Sequence, residues 1–212
     1  IFVGTIFKEL LKKNGSTVKH LSTISNNSDG YFDLIEHQSD SLLESAKNLM
    51  NESDNLTAEL FIKSIGALDT LPGTWKTGLD SVKSFLAKEV LIDTSNIKLA
   101  DGSGVSRYNL TSSAQLIELL KWMYKSDYKN DFIYTLPGGG WPKSTLEKRL
   151  TSEAGLVRAK TGGLSGARNL AGYITSEKYG DVAFAILMNG YIGSSSKYTR
   201  LQNQIVKAVI YD

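Results

Sequence analysis

Between Gly155 and Tyr191 the chain changes its hydrophobic rhythm. The stretches "GLVRAKTG", "RNLAGYITSEKYG" and "DVAFAILMNGY" alternate and read as three strands, with the turn from Lys178 to Asp181 predicting a hairpin. A helix follows from about Ser196 to Ile210, and the chain before Gly155 runs mostly at helical period. Successive strands framed by helices predict an α/β protein of the α+β kind, an antiparallel sheet with helices on its faces.

The helical part can be followed run by run. Phe2, Ile6, Phe7, Leu10 and Leu11 recur at helical spacing until Gly15. "STVKHLSTIS" then alternates weakly like a strand. "SDSLLESAKNLM", "SDNLTAELFIKSIGAL", "TGLDSVKSFLAKEVL" and "TSSAQLIELLKWMYKS" return to helical period; "LADGSGVSRYNL" reads as a glycine-bearing turn and "TLPGGGWPKS" as a loop. There is no repeat or interdomain linker, and 212 residues suit one good core, so one compact unit is expected.

Several function classes drop out. Lys and Arg total 24 against 22 Asp and Glu, with no basic stretch interleaved with aromatics, so no nucleic-acid partner is expected. No apolar run reaches the length of a membrane span. The lack of cysteine rules out thiolate metal sites, and the two histidines, His20 and His37, leave Ser-His-Asp chemistry almost without candidates. Neither a metal nor an organic cofactor is expected. Serine can still be activated by a lysine whose charge is disfavoured by desolvation.

That directs attention to Lys160, at the end of an apolar strand and followed by Thr161, Gly162 and Gly163. Glycine there lets another backbone approach, so a peptide-like ligand could add along the strand edge while Lys160 and Thr161 hold a carboxylate. Taken alone, the triplet also reads as a strand ending in a turn. Ser53 and Asn55, leading into Leu56, Leu60 and Phe61, likewise read alone as helix caps.

Order and combination change that balance. "ESDNLTAELF", "LPGTWKTG", "ADGSGVSRYNL" and "VRAKTGGLSGARNLAGYI" together resemble the D-alanyl-D-alanine carboxypeptidase/endopeptidase family of low-molecular-weight penicillin-binding proteins, peptidase family S13, the DacB-like class C group. The resemblance runs from near residue 3 to the C-terminus. It implies a transpeptidase-like fold shared with serine β-lactamases, with Ser53 relaying protons, Asn55 contacting the substrate amide, and Lys160, Thr161 and Gly162 forming a further motif. It also implies that the amide of Gly163 is half of an oxyanion hole. The family more commonly has serine or threonine at that position; glycine keeps the amide and loses a hydroxyl, which bears on carboxylate binding. Asp101 and Ser103 match a motif read as structural, since aspartate before Gly-Ser-Gly is first a turn former.

One element of the pattern is not placed. The family's nucleophile is the serine of a helix-opening Ser-x-x-Lys, well before the Ser-x-Asn element. This chain has four such spacings, Ser16 to Lys19, Ser95 to Lys98, Ser126 to Lys129 and Ser194 to Lys197. Ser16 lacks a following apolar helix, and the others come after Ser53. The expectation is therefore that residues 1–212 are the C-terminal portion of one DD-peptidase domain, incomplete on its N-terminal side, with the nucleophile outside this chain. The implied partners are a peptidoglycan stem peptide, β-lactams and the remainder of the same protein, in the periplasm or otherwise outside the cytoplasm. A different reading is a non-catalytic module that keeps the fold and binds peptidoglycan or β-lactams.

Overall fold

A computed structural model of the chain describes residues 2–22, 36–69 and 71–212. They form two compact units, residues 1–39 and residues 40–212. The first contains helix α1 (Phe2–Lys13), which buries none of its residues. Residues 16–22 after it are irregular instead of the expected strand; the rest of that stretch, 23–25, lies outside the described residues. Its alternation is interrupted by Lys19 and His20, so it offers no continuous apolar face to pack.

The second unit runs through α2 (Leu42–Glu52), α3 (Asn55–Asp69), α4 (Trp75–Lys88), α5 (Ser113–Lys125) and α6 (Lys129–Thr135) to β1 (Val157–Leu164), β2 (Ala167–Ser176), β3 (Gly180–Asn189) and α7 (Ser196–Tyr211). Helices α4 and α5 each open with a capping box, Thr74 with Thr77 and Ser112 with Gln115, which satisfies amides that would otherwise lack partners. The short α6 was not foreseen. Its apolar residues Phe132 and Ile133 are drawn into the cluster around Leu120, Leu136 and Tyr173, so packing rather than periodicity forms it.

The strands form an antiparallel sheet in the order β1-β2-β3. Helix α7 packs on one face. Val157, Ala159, Leu170 and Ile174 from β1 and β2 meet Val206 and Ile210 there, all buried. On the other face Tyr173 packs beneath α5 and α6 and donates its hydroxyl to the Leu120 carbonyl at 2.8 Å. Burial pushes that phenol up to about 12, so it stays a donor. The sheet is thus covered on both faces, and only its edges are left.

Candidate active site

The first wall of the site is a helix junction. Ser53 does not open a helix, as the sequence suggested; it ends α2, in left-handed conformation at φ 60° and ψ 49°, with its amide donating to the Leu49 carbonyl. A non-glycine residue there costs on the order of 1 kcal/mol. Capping of α3 falls to Asp54, whose carboxylate accepts the Leu56 amide at 3.0 Å and the Thr57 hydroxyl at 2.6 Å. The Thr57 hydroxyl and the amides of Leu56 and Thr57 hold that carboxyl below its usual range. Ser53 and Asn55 are thereby freed from capping. The α2 end is pinned by Asn51, which donates to Lys47 at 2.8 Å and to Thr135 at 3.1 Å, and accepts at its own carbonyl from the Thr145 amide.

The second wall is β1. The run does not end at Lys160 in a turn: pairing with β2 continues without a bulge from Val157↔Ile174 through Leu164↔Ala167, and the turn falls at Ser165 and Gly166. Gly162 itself pairs in register with Asn169. The Ala159 amide donates to the Pro137 carbonyl, outside the sheet, and the Gly139 amide to Val157. By alternation, Thr161 and Gly163 also turn their backbone polar groups outward. That edge is covered at Val157 to Ala159 and open beyond.

The two walls meet. Lys160 Nζ donates to Ser53 Oγ at 2.9 Å and to the Thr161 carbonyl at 2.9 Å. Burial lowers the lysine's pKa from its ordinary value, which favours the neutral amine. Because Ser53 Oγ accepts from Lys160, its own proton is free to be donated elsewhere. Both residues line a cleft of about 560 Å³ together with Asn55, Thr161, Gly162 and Gly163. The side chains of Asn55 and Thr161 have no partner among the described residues.

The third wall is the turn at Asp101. Its carboxylate takes the amides of Gly104 at 2.7 Å and Ser106 at 2.5 Å and the Asn109 side chain at 2.7 Å, which is turn-building work. Ser103 lines the cleft by way of that turn. Two organisers escaped the sequence reading. Glu59 of α3 accepts from the amides of Gly102 at 3.1 Å and Ser103 at 3.0 Å and from Trp75 Nε1 at 2.8 Å. Burial works against its charge, but the bonds from Ser103, Gly102 and Trp75 hold its pKa below the usual value. Gly102 needs to be glycine, since a Cβ there would run into Ala58 and Ile62 of the same helix. Arg107 donates to the Ser165 carbonyl at 2.7 Å, tying the Asp101 turn to the β1–β2 turn. A half-buried acid in an amphipathic run leaves no local signal that two of its partners are amides over 40 residues away.

Ser95, Ser126 and Ser194 do not line the cleft. Ser126 Oγ instead closes the end of α5 on the Met123 carbonyl, and Ser194 Oγ bonds Ser196. Ser16 lies in the first unit, and so do His20 and His37. Among the described residues, no three or more histidine, aspartate or glutamate side chains gather in a way that could hold a metal ion.

Comparison with known proteins agrees with this architecture. Residues 1–209 match the D-Ala-D-Ala carboxypeptidase 3 (S13) family. A D-alanyl-D-alanine carboxypeptidase of Actinomadura sp. (strain R39) is 35% identical over 90% of this chain, which spans 37% of that protein. The crystal structure of penicillin binding protein 4 (dacB) from Haemophilus influenzae, complexed with a β-lactam, superposes with a TM-score of 0.82 at 26% identity, covering 99% of this chain and 51% of that one. The TLA-3 extended-spectrum β-lactamase shares the fold at a TM-score of 0.61 and 22% identity, over 80% of this chain and 63% of its own. The chain spans 37% of that carboxypeptidase and 51% of that penicillin binding protein, about half or less of each. With its helix-flanked antiparallel sheet, its Ser-Asp-Asn corner and its Lys-Thr-Gly edge strand, the chain belongs to the D-Ala-D-Ala carboxypeptidase 3 (S13) family.

Proposed function

We propose that this chain forms three walls of a serine acyl-transfer site that cleaves D-Ala-D-Ala peptides of peptidoglycan and is acylated by β-lactams, with the nucleophilic serine supplied from outside these 212 residues. The observation that carries the reading is the 2.9 Å bond between Lys160 Nζ and Ser53 Oγ, 107 residues apart, beside an open strand edge. The serine hydroxyl gives its proton to a base supplied with it from outside this chain, and its oxygen attacks the penultimate D-Ala carbonyl, whose developing oxyanion accepts from the outward amide of Gly163. The carbonyl C–N bond breaks, Ser53 passes its proton to the leaving D-Ala nitrogen, the Lys160 ammonium reprotonates Ser53, and the proton first taken from the nucleophile returns to Lys160. Water then hydrolyses the ester. Asn55 holds the peptide amide, and Thr161 with the strand edge aligns the backbone. Peptidoglycan as substrate places the protein outside the cytoplasm, and no described helix is long and apolar enough to cross a membrane.

A second reading, a module that binds such peptides without cleaving them, needs only the open strand edge and the cleft lined by Asn55 and Thr161. Mass spectrometry after incubation with a labelled penicillin separates the two. The proposal expects a one-to-one adduct on the full-length protein, on a serine outside this chain, and no adduct on the 212 residues alone. An adduct on Ser16, or none on the full-length protein, would overturn it.

A further inference from the structure

Gly163 brings an amide to the cleft and nothing else, yet the cleaved peptide ends in a carboxylate. The residue beyond the scissile bond is the last one, so its carboxylate lies about one residue's length, roughly 3.4 Å, from the carbonyl that the Gly163 amide receives. A cationic or hydroxyl donor is needed beside Gly163. The cross-strand partner of Gly163 is Arg168. A Cβ built on Gly163 would lie 2.6 Å from Nη1 of Arg168, so the guanidinium occupies the space that a side chain at position 163 would enter.

That guanidinium is anchored at one end only. Its Nε donates to Thr199 Oγ1 at 3.1 Å, and Thr199 donates in turn to the Ser195 carbonyl at 3.2 Å in the first turn of α7. Among the described residues its terminal nitrogens have no acceptor and it forms no ion pair. The backbone is fixed as well, because buried Gln202 donates to the Arg168 carbonyl at 3.0 Å. Gln202 also accepts from a second guanidinium, Arg149, at 3.0 Å. Burial, and after it the charge of Arg168, pushes Arg149 down to about 10. Gln202 thus links the Arg149 guanidinium to the Arg168 backbone, the two positive charges are close enough to act on one another, and neither arginine forms an ion pair among the described residues. Such a spot favours an anion.

We propose that Arg168 recognises the C-terminal carboxylate of the peptide, taking the place of a side-chain hydroxyl at position 163, and that Gly163 is glycine so that the guanidinium can stand there. The inference rests on the acyl-transfer reading, which supplies the scissile carbonyl. It makes residues 163 and 168 a coupled pair that sets the preference for free-acid over blocked substrates.

The test uses the full-length enzyme and the ratio of kcat/KM for an N-acyl-D-Ala-D-Ala to that for its C-terminal amide. The ratio is unaffected by loss of folded protein. The wild type prefers the free acid, and Arg168→Ser lowers the ratio about 10- to 100-fold, the scale of a hydrogen bond to a charged group. Arg168→Lys, which keeps charge without the planar fork, falls between. Gly163→Thr alone lowers the ratio by displacing the guanidinium, while Gly163→Thr with Arg168→Ser restores most of it through the new hydroxyl. An unchanged ratio in Arg168→Ser, equal use of acid and amide by the wild type, or additive losses in the double variant would overturn the inference and leave the acyl-transfer reading standing. A wild type that neither cleaves such peptides nor is acylated by penicillin would overturn both.

Discussion

The two edges of the sheet are opposites. The β1 edge is covered at Val157 to Ala159 and then opens over Thr161, Gly162 and Gly163, where small residues expose outward backbone groups beside a lysine. The β3 edge runs for ten residues, Gly180–Asn189, and pairs with no strand among the described residues. It is apolar from Val182 to Met188, yet none of its residues is buried, whereas β2 buries Leu170, Tyr173 and Ile174. An edge meant for a passing ligand is short and polar, and releases what it binds. A long apolar edge is a template for permanent pairing. The same sheet therefore carries one edge suited to chemistry and one suited to assembly.

Four measurements test that contrast. The largest effect belongs to the β1 side. In the full-length enzyme Ser53→Gly keeps the left-handed corner, which glycine adopts without strain, and removes the hydroxymethyl side chain. Acyl transfer should fall about 10²- to 10⁴-fold in kcat/KM, the range of a lost proton relay, with no loss of thermal stability. Undiminished turnover would deny the β1 edge its chemistry.

Next comes the strand between the edges. Leu170 is fully buried and sits opposite Thr161. Leu170→Ala should cost about 2–5 kcal/mol of unfolding free energy in denaturant titration, because the cavity forms where α7 supports both edges. A cost below about 1 kcal/mol would show that the edges are held independently.

The contrast itself is read by amide exchange and sedimentation of the isolated 212 residues. Amides at Thr161 and Gly163 should exchange quickly and gain protection when a D-Ala-D-Ala peptide is added, while outward β3 amides stay unaffected by peptide. The chain should associate at tens of micromolar or below, and addition of the remainder of the protein should reverse it. A monodisperse monomer with protected β3 amides would erase the distinction.

The smallest effect is electrostatic. Burial lowers the pKa of Lys160 below its unfolded value of 10.5, so between those two values the unfolded chain binds more protons than the folded one. Stability should therefore rise with pH across that window, and the cost of the buried charge should be undiminished below it. Relative to Lys160→Met, the wild type gains in unfolding midpoint on going from pH 7 to pH 10.5. A flat difference would mean that the ammonium is as well solvated as in the unfolded chain.

Much of this was legible in the residues because the signals are local. Period 3.6 marks α2 to α5, alternation marks the three strands, and Ser112 with Gln115 marks a helix start through a bond only three residues long. Asp101 before Gly-Ser-Gly builds its turn with neighbours three to eight residues away. The order of Ser-Asp-Asn, Asp-Gly-Ser-Gly and Lys-Thr-Gly identifies the family without any coordinates.

What the residues alone left open depends on distant parts meeting. Short-range rules make Ser53 a cap; the tertiary structure makes Asp54 the cap and turns Ser53 into a left-handed corner, because α2 is pinned by Asn51 to a segment over 80 residues away. Lys160 reads as a strand end, but the strand continues because β2 supplies partners as far as Ala167. Glu59, Arg107 and Arg168 look like ordinary surface charges in their own stretches, and each acquires its partner only when α3, the Asp101 turn, the β1–β2 turn and α7 pack together. The elements and the kinship are written in neighbouring residues and need no fold to be read. The tertiary structure decided which hydroxyl meets which amine and which guanidinium fills the space beside Gly163, because long-range packing and strand register set those distances.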